Sequence, residues 1–264
     1  MNKKLIKAAV IGALFSVAPI SFAADEVEDV KAPASMLDDF SFSANVGLYT
    51  DYVFRGYTQT QNEPAIQGGF DVEHSSGLYA GTWASNVDWT TAGDDPYMDK
   101  NSIEIDVYAG WAGDLGFYDL GFDIGVLQFY YPGNKAEGAV DVDATEVYFG
   151  FNKDWMDGAF STSVTNYVVV SDDAWGFTDM DGEMYHDLTV DVPIGSTPLT
   201  LSGHVGYQTF GESKYDYYDY KVNVDYAFND TFTAGAFVTG TDQDTEDWGD
   251  AGDTTLGGYL SAGF

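Results

Sequence analysis

Apolar and polar residues alternate along most of this chain, in short stretches separated by turn-forming residues. The clearest stretch places Ile103, Ile105 and Val107 on one face and Glu104 and Asp106 on the other. A period of two residues is typical of a β-strand with one apolar and one polar face. The pattern predicts twelve strands, at residues 40–54, 65–74, 78–87, 102–109, 117–131, 144–152, 159–170, 184–192, 199–208, 218–226, 232–240 and a last one ending at 264.

The connections between these predicted strands differ in length at the two ends. Short turns follow every second strand, for example at residues 75–77 and 229–230, and longer, acidic loops follow the others. An even number of strands with this asymmetry is typical of bacterial outer-membrane barrels. A soluble β-sandwich would also alternate, but it would hide its apolar face between two sheets. We therefore expect an all-β fold, a transmembrane antiparallel up-and-down β-barrel of about twelve strands with both termini on the periplasmic side.

The two ends of the chain support export to the outer membrane of a Gram-negative bacterium. Residues 1–23 combine three lysines, an apolar stretch and small residues before Ala23, which indicates a signal peptide cleaved after Ala23. Residues 24–39 then form an acidic periplasmic lead, and residues 40–264 form the barrel. The last strand ends in an aromatic residue, which we interpret as the signal for the barrel assembly machinery, carried by Tyr259, Leu260 and Phe264.

The charge and the composition of the chain exclude several classes of protein. The formal net charge is −33, which excludes nucleic acid as a partner because a phosphate backbone needs a basic surface. Aromatic residues make up 16% of the chain, too many for a disordered protein of this charge. The absence of cysteine rules out a disulfide framework and a thiolate nucleophile.

Three motifs in the first third of the barrel resemble one known family. They are residues 52–56 (YVFRG), residues 64–69 (PAIQGG) and residues 77–87 (GLYAGTWASNV). These segments resemble the TorF-type porins of Proteobacteria, although Tyr57 and Thr58 stand where that family has Ile-Ser. The resemblance implies an outer-membrane barrel of porin function, with no established solute.

The polar faces of the predicted strands carry most of the candidate functional residues. Arg55, the only arginine, falls on the lumen side near the outer rim, either as a fixed positive group at the pore mouth or as part of an ion pair that holds the wall together. Unpaired carboxylates in a lumen attract cations, as acidic rings do in cation channels. The candidate pore-lining residues are Arg55, Asp71, Glu73, Glu104, Asp106, Asp119, Asp123, Glu146, Asp187, Asp191, His204, Asp219, Lys221 and Asp225.

Pore size divides the functional hypotheses. Twelve strands lie between small filled barrels and open channels, and the inward aromatic side chains Tyr49, Tyr108, Phe129 and Tyr148 could close the lumen. The first hypothesis is passive diffusion of small polar, cationic solutes through a narrow acidic lumen. The alternative is a non-conducting barrel that binds a partner or divalent cations through its acidic outer loops.

Metal binding and catalysis have weaker support in the sequence. Asp242, Asp244 and Glu246 have the spacing that starts a calcium loop, but Asp247 stands where that loop needs glycine. The outer loops are more simply a solvated face, with Ca²⁺ or Mg²⁺ bridging them to lipopolysaccharide. The three histidines have no serine beside them in an arrangement suited to acyl transfer, so we expect no enzyme and no cofactor.

Overall fold

The computed structural model describes residues 39–93, 96–243 and 249–264. The predicted signal peptide and nearly all of the predicted periplasmic lead lie outside the described residues. Within these ranges, no helix is long and apolar enough to cross a membrane.

Twelve antiparallel strands form one closed barrel in the described part of the chain, which confirms the predicted fold class. Each strand pairs with its neighbours in sequence, and β1 closes the wall against β16 in a register that pairs Tyr49 with Tyr259. Numbered in chain order among sixteen strands, the wall strands are β1 (Phe40–Tyr49), β4 (Ala65–His74), β5 (Leu78–Asn86), β7 (Ile103–Asp114), β8 (Leu120–Tyr130), β10 (Ala144–Trp155), β11 (Phe160–Val169), β12 (Met184–Pro193), β13 (Leu199–Gln208), β14 (Tyr217–Ala227), β15 (Phe232–Thr241) and β16 (Thr255–Gly263).

In the described residues, one small hairpin, one small two-stranded sheet and three short turns of 3₁₀-helix lie between wall strands. The hairpin β2 (Val53–Phe54) and β3 (Tyr57–Thr58) follows β1, and β6 (Met98–Lys100) pairs with β9 (Asn134–Lys135) across two loops. These additions all belong to the connections at one end of the barrel. We call this the long-loop end; its connections are residues 50–64, 87–102, 131–143, 170–183, 209–216 and 242–254.

The two faces of the wall differ in burial as the alternation requires. Outward side chains such as Leu48 and Val107 expose 60% and 55% of their surface, and they are aliphatic or aromatic almost throughout. Inward side chains are buried, and most of the buried aromatic residues lie inside the barrel. A soluble barrel would place apolar residues inside and polar ones outside, so this inverted distribution is the one that suits a lipid environment.

Most strand limits match the sequence pattern to within about two residues, the usual uncertainty at strand ends. Four predicted limits are wrong. The first strand ends at Tyr49 and not at residue 54, and the fifth wall strand begins at Leu120 and not at residue 117; both of these differences move a candidate site residue. The fourth wall strand extends to Asp114 and not only to residue 109, and the sixth extends to Trp155 and not only to residue 152.

Candidate pore and the Arg55 hairpin

The inner wall is acidic along its whole height. Glu104 and Asp106 on β7 expose only 1% of their surface each, and Glu146 on β10 is fully buried. Three basic side chains face the same interior: Arg55, His204 and Lys221. The other predicted residues that the structure places on the inward register are Asp71, Asp123, Asp187, Asp191, Asp219 and Asp225.

Two predicted pore-lining residues do not lie in the interior. Asp119 is in the exposed turn between β7 and β8 with a φ of 51°, because Tyr118 and Asp119 both adopt the left-handed conformation that reverses the chain there. Placing Asp119 on a strand face was therefore wrong. Glu73 lies on the inward register of β4, but it is the last inward residue of that strand. Its side chain is exposed at the end of the barrel where the short turns lie.

Tyrosine rings fill the space between these carboxylates. The Tyr79 hydroxyl donates to Asp123 at 2.6 Å, the Tyr108 hydroxyl donates to Asp71 at 2.5 Å, and each ring reaches across one intervening strand. The predicted closing residues Tyr49, Tyr108, Phe129 and Tyr148 are all buried, together with Trp83, Tyr167, Tyr185, Phe237 and Tyr259. Packed side chains therefore narrow the lumen.

His204 on β13 and Lys221 on β14 are basic residues that face the interior near the centre of their strands. His204 lies between two carboxylates: its Nδ1 contacts Asp187, and its Nε2 lies 2.6 Å from Asp219. The Lys221 ammonium lies 4.5 Å from the centroid of the Phe237 ring. His204 is thus held between two carboxyl groups, and the inner wall carries more acidic than basic side chains.

The Arg55 hairpin is a separate element inside the long-loop end. We use this name for residues 51–60. Arg55 and Gly56 have φ values of 46° and 85°, the paired left-handed conformation of a tight two-residue hairpin turn. The hairpin strands pair only with each other and not with the barrel wall. Arg55 is thus at the tip of an inserted hairpin, and its predicted place on the first barrel strand was wrong.

The guanidinium of Arg55 is bound by residues of the barrel wall that are distant from it in sequence. Its Nη1 donates to Glu146 and to Gln208, both at 2.8 Å, and its Nη2 donates to the second oxygen of Glu146 at 2.7 Å. The ring centroids of Tyr185 and Tyr167 lie 4.1 Å and 5.2 Å from Cζ. We call Glu146, Gln208, Tyr167 and Tyr185 the Arg55 cradle. Bidentate carboxylate pairing with stacked rings is a strong form of guanidinium recognition.

Electrostatics keep Arg55 charged in this position. Burial alone would lower its pKa, but the Glu146 carboxylate beside it raises the pKa of Arg55 above its usual value. Phe54 on the hairpin and Trp175 from the 170–183 loop cover the guanidinium, with centroids 4.8 Å and 5.4 Å away. The ion pair is therefore shielded from solvent on both sides.

A second contact joins the hairpin base to β7. The Tyr52 hydroxyl donates to Glu104 at 2.7 Å, and the Tyr52 ring packs edge-on against Trp83. Asp106 lies two residues after Glu104 on the same inward face of β7. It pairs in register with Trp83 on β5 and with Phe129 on β8. Neither carboxylate oxygen of Asp106 has a hydrogen-bond partner among the described residues. The hairpin therefore covers a pair of buried acids, of which it satisfies one.

Asp51 anchors the hairpin at its base, outside the wall strands. One oxygen accepts hydrogen bonds from the hydroxyls of Thr58 and Thr60 at 2.5 Å and 2.9 Å. Burial raises the pKa of Asp51 above its ordinary value, and the two threonine hydrogen bonds only partly oppose that effect. A docked hairpin therefore binds the Asp51 proton more tightly than a released one.

Acidification is expected to favour the docked hairpin, with the change lying above the ordinary Asp pKa of about 4. The sign follows from the raised pKa: protonation stabilises the docked state, and this contribution is lost as the pH rises through the folded-state pKa. Amide exchange of residues 51–60, corrected for its intrinsic pH dependence, measures it. Asp51→Asn should remove part of the slope, whereas Asp157→Asn, in an exposed turn, should not. An unchanged slope in Asp51→Asn contradicts the assignment.

The remaining predicted residues belong to the weak metal site and to the assembly signal. Asp242 accepts a hydrogen bond from the Tyr218 backbone N–H at 2.8 Å, and Asp244 and Glu246 lie outside the described residues, so the metal site stays a prediction. Tyr259 packs inward against Tyr49, whereas Leu260 and Phe264 are exposed. The backbone of Phe264 exchanges two hydrogen bonds with Ala44, which extends the β1–β16 seam.

Sequence reasoning missed most of the Arg55 cradle. Gln208, Tyr167 and Tyr185 lie on inward registers that the alternation marks, but no local pattern connects them with Arg55. The hydrogen bonds from Arg55 to Glu146 and Gln208 span 91 and 153 residues. The usable signal was the single arginine in a strongly acidic chain, which needs a buried or paired acid.

Several solved porin structures share the fold of this chain. The KdgM porin superposes with a TM-score of 0.54 at 7% identity, over 84% of this chain and 98% of that chain. The NanC porin superposes with a TM-score of 0.53 at 10% identity, over 85% of this chain and 99% of that chain. The KdgM porin in complex with disordered oligogalacturonate gives 0.51 at 7% identity, over 84% and 96%. At these identities the likeness shows the fold, a closed antiparallel β-barrel that this chain shares with these porins.

The family is established from the sequence itself. Residues 33–258 match the family described as bacterial protein of unknown function (Gcw_chp), and the chain belongs to that family. No curated protein matches the chain. The narrower resemblance to the TorF-type porins stays a prediction.

Proposed function

We propose that this protein is an outer-membrane porin-type channel for small polar solutes, with a preference for cations. The observation that carries the proposal is the charge balance of the inner wall, where buried and half-buried carboxylates outnumber Arg55, His204 and Lys221. A low-dielectric wall strengthens the field of such carboxylates, which attracts cations and repels anions. The porin-type fold supports passage along the barrel axis.

The class of solute follows from the negative charge of the inner wall. The KdgM porin has been described in complex with disordered oligogalacturonate, which is a polyanion. An acidic wall like the present one disfavours a polyanion, so we propose a different solute class for this chain. Export through the signal peptide, recognition of the last strand by the barrel assembly machinery, and contact with lipopolysaccharide complete the proposal.

A second candidate is a non-conducting barrel that binds a partner or divalent cations through its outer loops. The packed tyrosine rings and the inserted Arg55 hairpin favour it, because they occupy space in the interior of the barrel. If the protein is a channel, the tyrosine rings and the Arg55 hairpin must move before a solute can pass.

Single-channel recording in a planar bilayer under a potassium chloride gradient separates the two candidates. We expect discrete current steps and a reversal potential that favours cations, and Glu104→Gln with Asp106→Asn should weaken that preference. Asp157→Asn makes a similar charge change in an exposed turn outside the lumen and is the matched control. A reversal potential favouring anions contradicts the first candidate, and a correctly folded barrel without current supports the second.

A further inference from the structure

The Arg55 cradle has the composition of a small-molecule binding site. It offers both oxygens of Glu146, the Gln208 amide oxygen and the faces of two tyrosine rings to one planar cation. The Gln208 amide is oriented by its own Nε2, which donates to the Thr209 carbonyl at 2.9 Å. Ligand sites combine apolar walls with a few oriented polar groups in this way.

The cradle recognises only the outer edge of the guanidinium. Both Nη atoms of Arg55 are bonded, whereas its Nε has no hydrogen-bond partner among the described residues. A free alkylguanidinium presents the same two terminal nitrogens. The interactions that hold Arg55 are therefore available to a solute of that class.

The group that occupies the cradle is able to leave without breaking the barrel. The Arg55 hairpin pairs with itself and contributes no strand to the wall. Its attachments to the wall strands include the Arg55 bonds, the Tyr52–Glu104 bond and ring contacts such as Tyr57 against Tyr217. Release of the hairpin therefore leaves all wall pairings intact.

The charge around the cradle favours a cation in place of Arg55. Removal of Arg55 would leave Glu146 buried without a counter-charge, a costly state in a low-dielectric interior. Asp106, close enough to Glu146 to interact electrostatically, already lacks a hydrogen-bond partner among the described residues. Together with Glu104, they place three carboxyl groups near the single positive charge that the hairpin supplies.

We propose that the Arg55 cradle is a binding site for solutes that carry a guanidinium group, and that Arg55 is the internal occupant such a solute displaces. The proposal rests on the proposed function, whose solute class and gating it specifies. A guanidinium solute entering from the long-loop end takes the place of Arg55 on Glu146 and Gln208, and the hairpin moves out of the lumen.

Binding of methylguanidinium to purified barrels tests the site without any current measurement. By isothermal titration we expect Arg55→Ala to bind methylguanidinium in the millimolar range, at least tenfold more tightly than the wild type, in which the tethered Arg55 competes. Urea, a planar molecule of similar shape without the charge, should not bind. Adding Glu146→Gln to Arg55→Ala should abolish binding. Equal affinity in the single and double variants overturns the proposal.

The wild-type protein provides a second test that does not depend on the folding of a variant. Saturating methylguanidinium should speed amide exchange across residues 51–60, while exchange in the wall strand β14 stays unchanged. Unchanged exchange in the hairpin, or equal acceleration by urea, overturns the displacement. A silent bilayer recording together with positive titration and exchange results would refute the channel and keep the binding site.

Discussion

Replacing Arg55 by alanine is expected to open the barrel and to lower its stability. The change removes the three hydrogen bonds that hold the hairpin tip to Glu146 and Gln208. It also leaves Glu146 buried without its partner, which typically costs about 3–5 kcal/mol. We expect a higher single-channel conductance and a lower urea concentration at the midpoint of unfolding, with heat-modifiable migration on gels as the check of folding.

Lys214→Ala is the control for the loss of one positive charge. Lys214 lies on a long loop, exposes 58% of its side chain and pairs with Glu212, which exposes 70%. Exposed pairs of this kind contribute little to stability. If Arg55→Ala and Lys214→Ala shift conductance and unfolding midpoint by the same amount, the Arg55 hairpin is not the element that closes the lumen.

Gly125→Ala is expected to damage the wall itself. A Cβ atom at this inward position would lie 2.5 Å from Cζ of Tyr148 and 2.7 Å from the backbone oxygen of Ala109. The Tyr148 ring lies across the glycine, and Gly110 accommodates Tyr79 in the same way. Neither the ring nor the ladder backbone can yield freely, and overpacking of this kind costs about 1–3 kcal/mol or more.

Gly203→Ala is the matched control, because a Cβ at Gly203 would meet nothing within 4 Å. Alanine there should leave stability unchanged or slightly raise it, since it removes backbone freedom from the unfolded chain. The folded fraction after refolding and the urea midpoint measure both variants. If Gly125→Ala and Gly203→Ala have the same folded fraction and urea midpoint, the tyrosine rings do not depend on the inward glycines for their packing.

Local sequence was sufficient for the wall of the barrel. Alternation along β7 and β14 placed Glu104, Asp106 and Asp219 on the inward face, since a strand turns successive side chains to opposite sides. The same rule failed where the backbone leaves the extended conformation. The left-handed conformations of Arg55 and Asp119 place both residues in turns, although the letters around them still read as a strand.

The twelve-stranded wall, its acidic inner face and its apolar outer face follow from a period of two residues that each segment carries by itself. Only the tertiary structure decided what occupies the interior. The insertion of the Arg55 hairpin, the pairing of Arg55 with Glu146 and Gln208, and the seating of tyrosine rings on glycines depend on residues that are distant in sequence or that lie on neighbouring strands. Such contacts leave no periodic trace in the chain, because their partners meet only when the barrel closes.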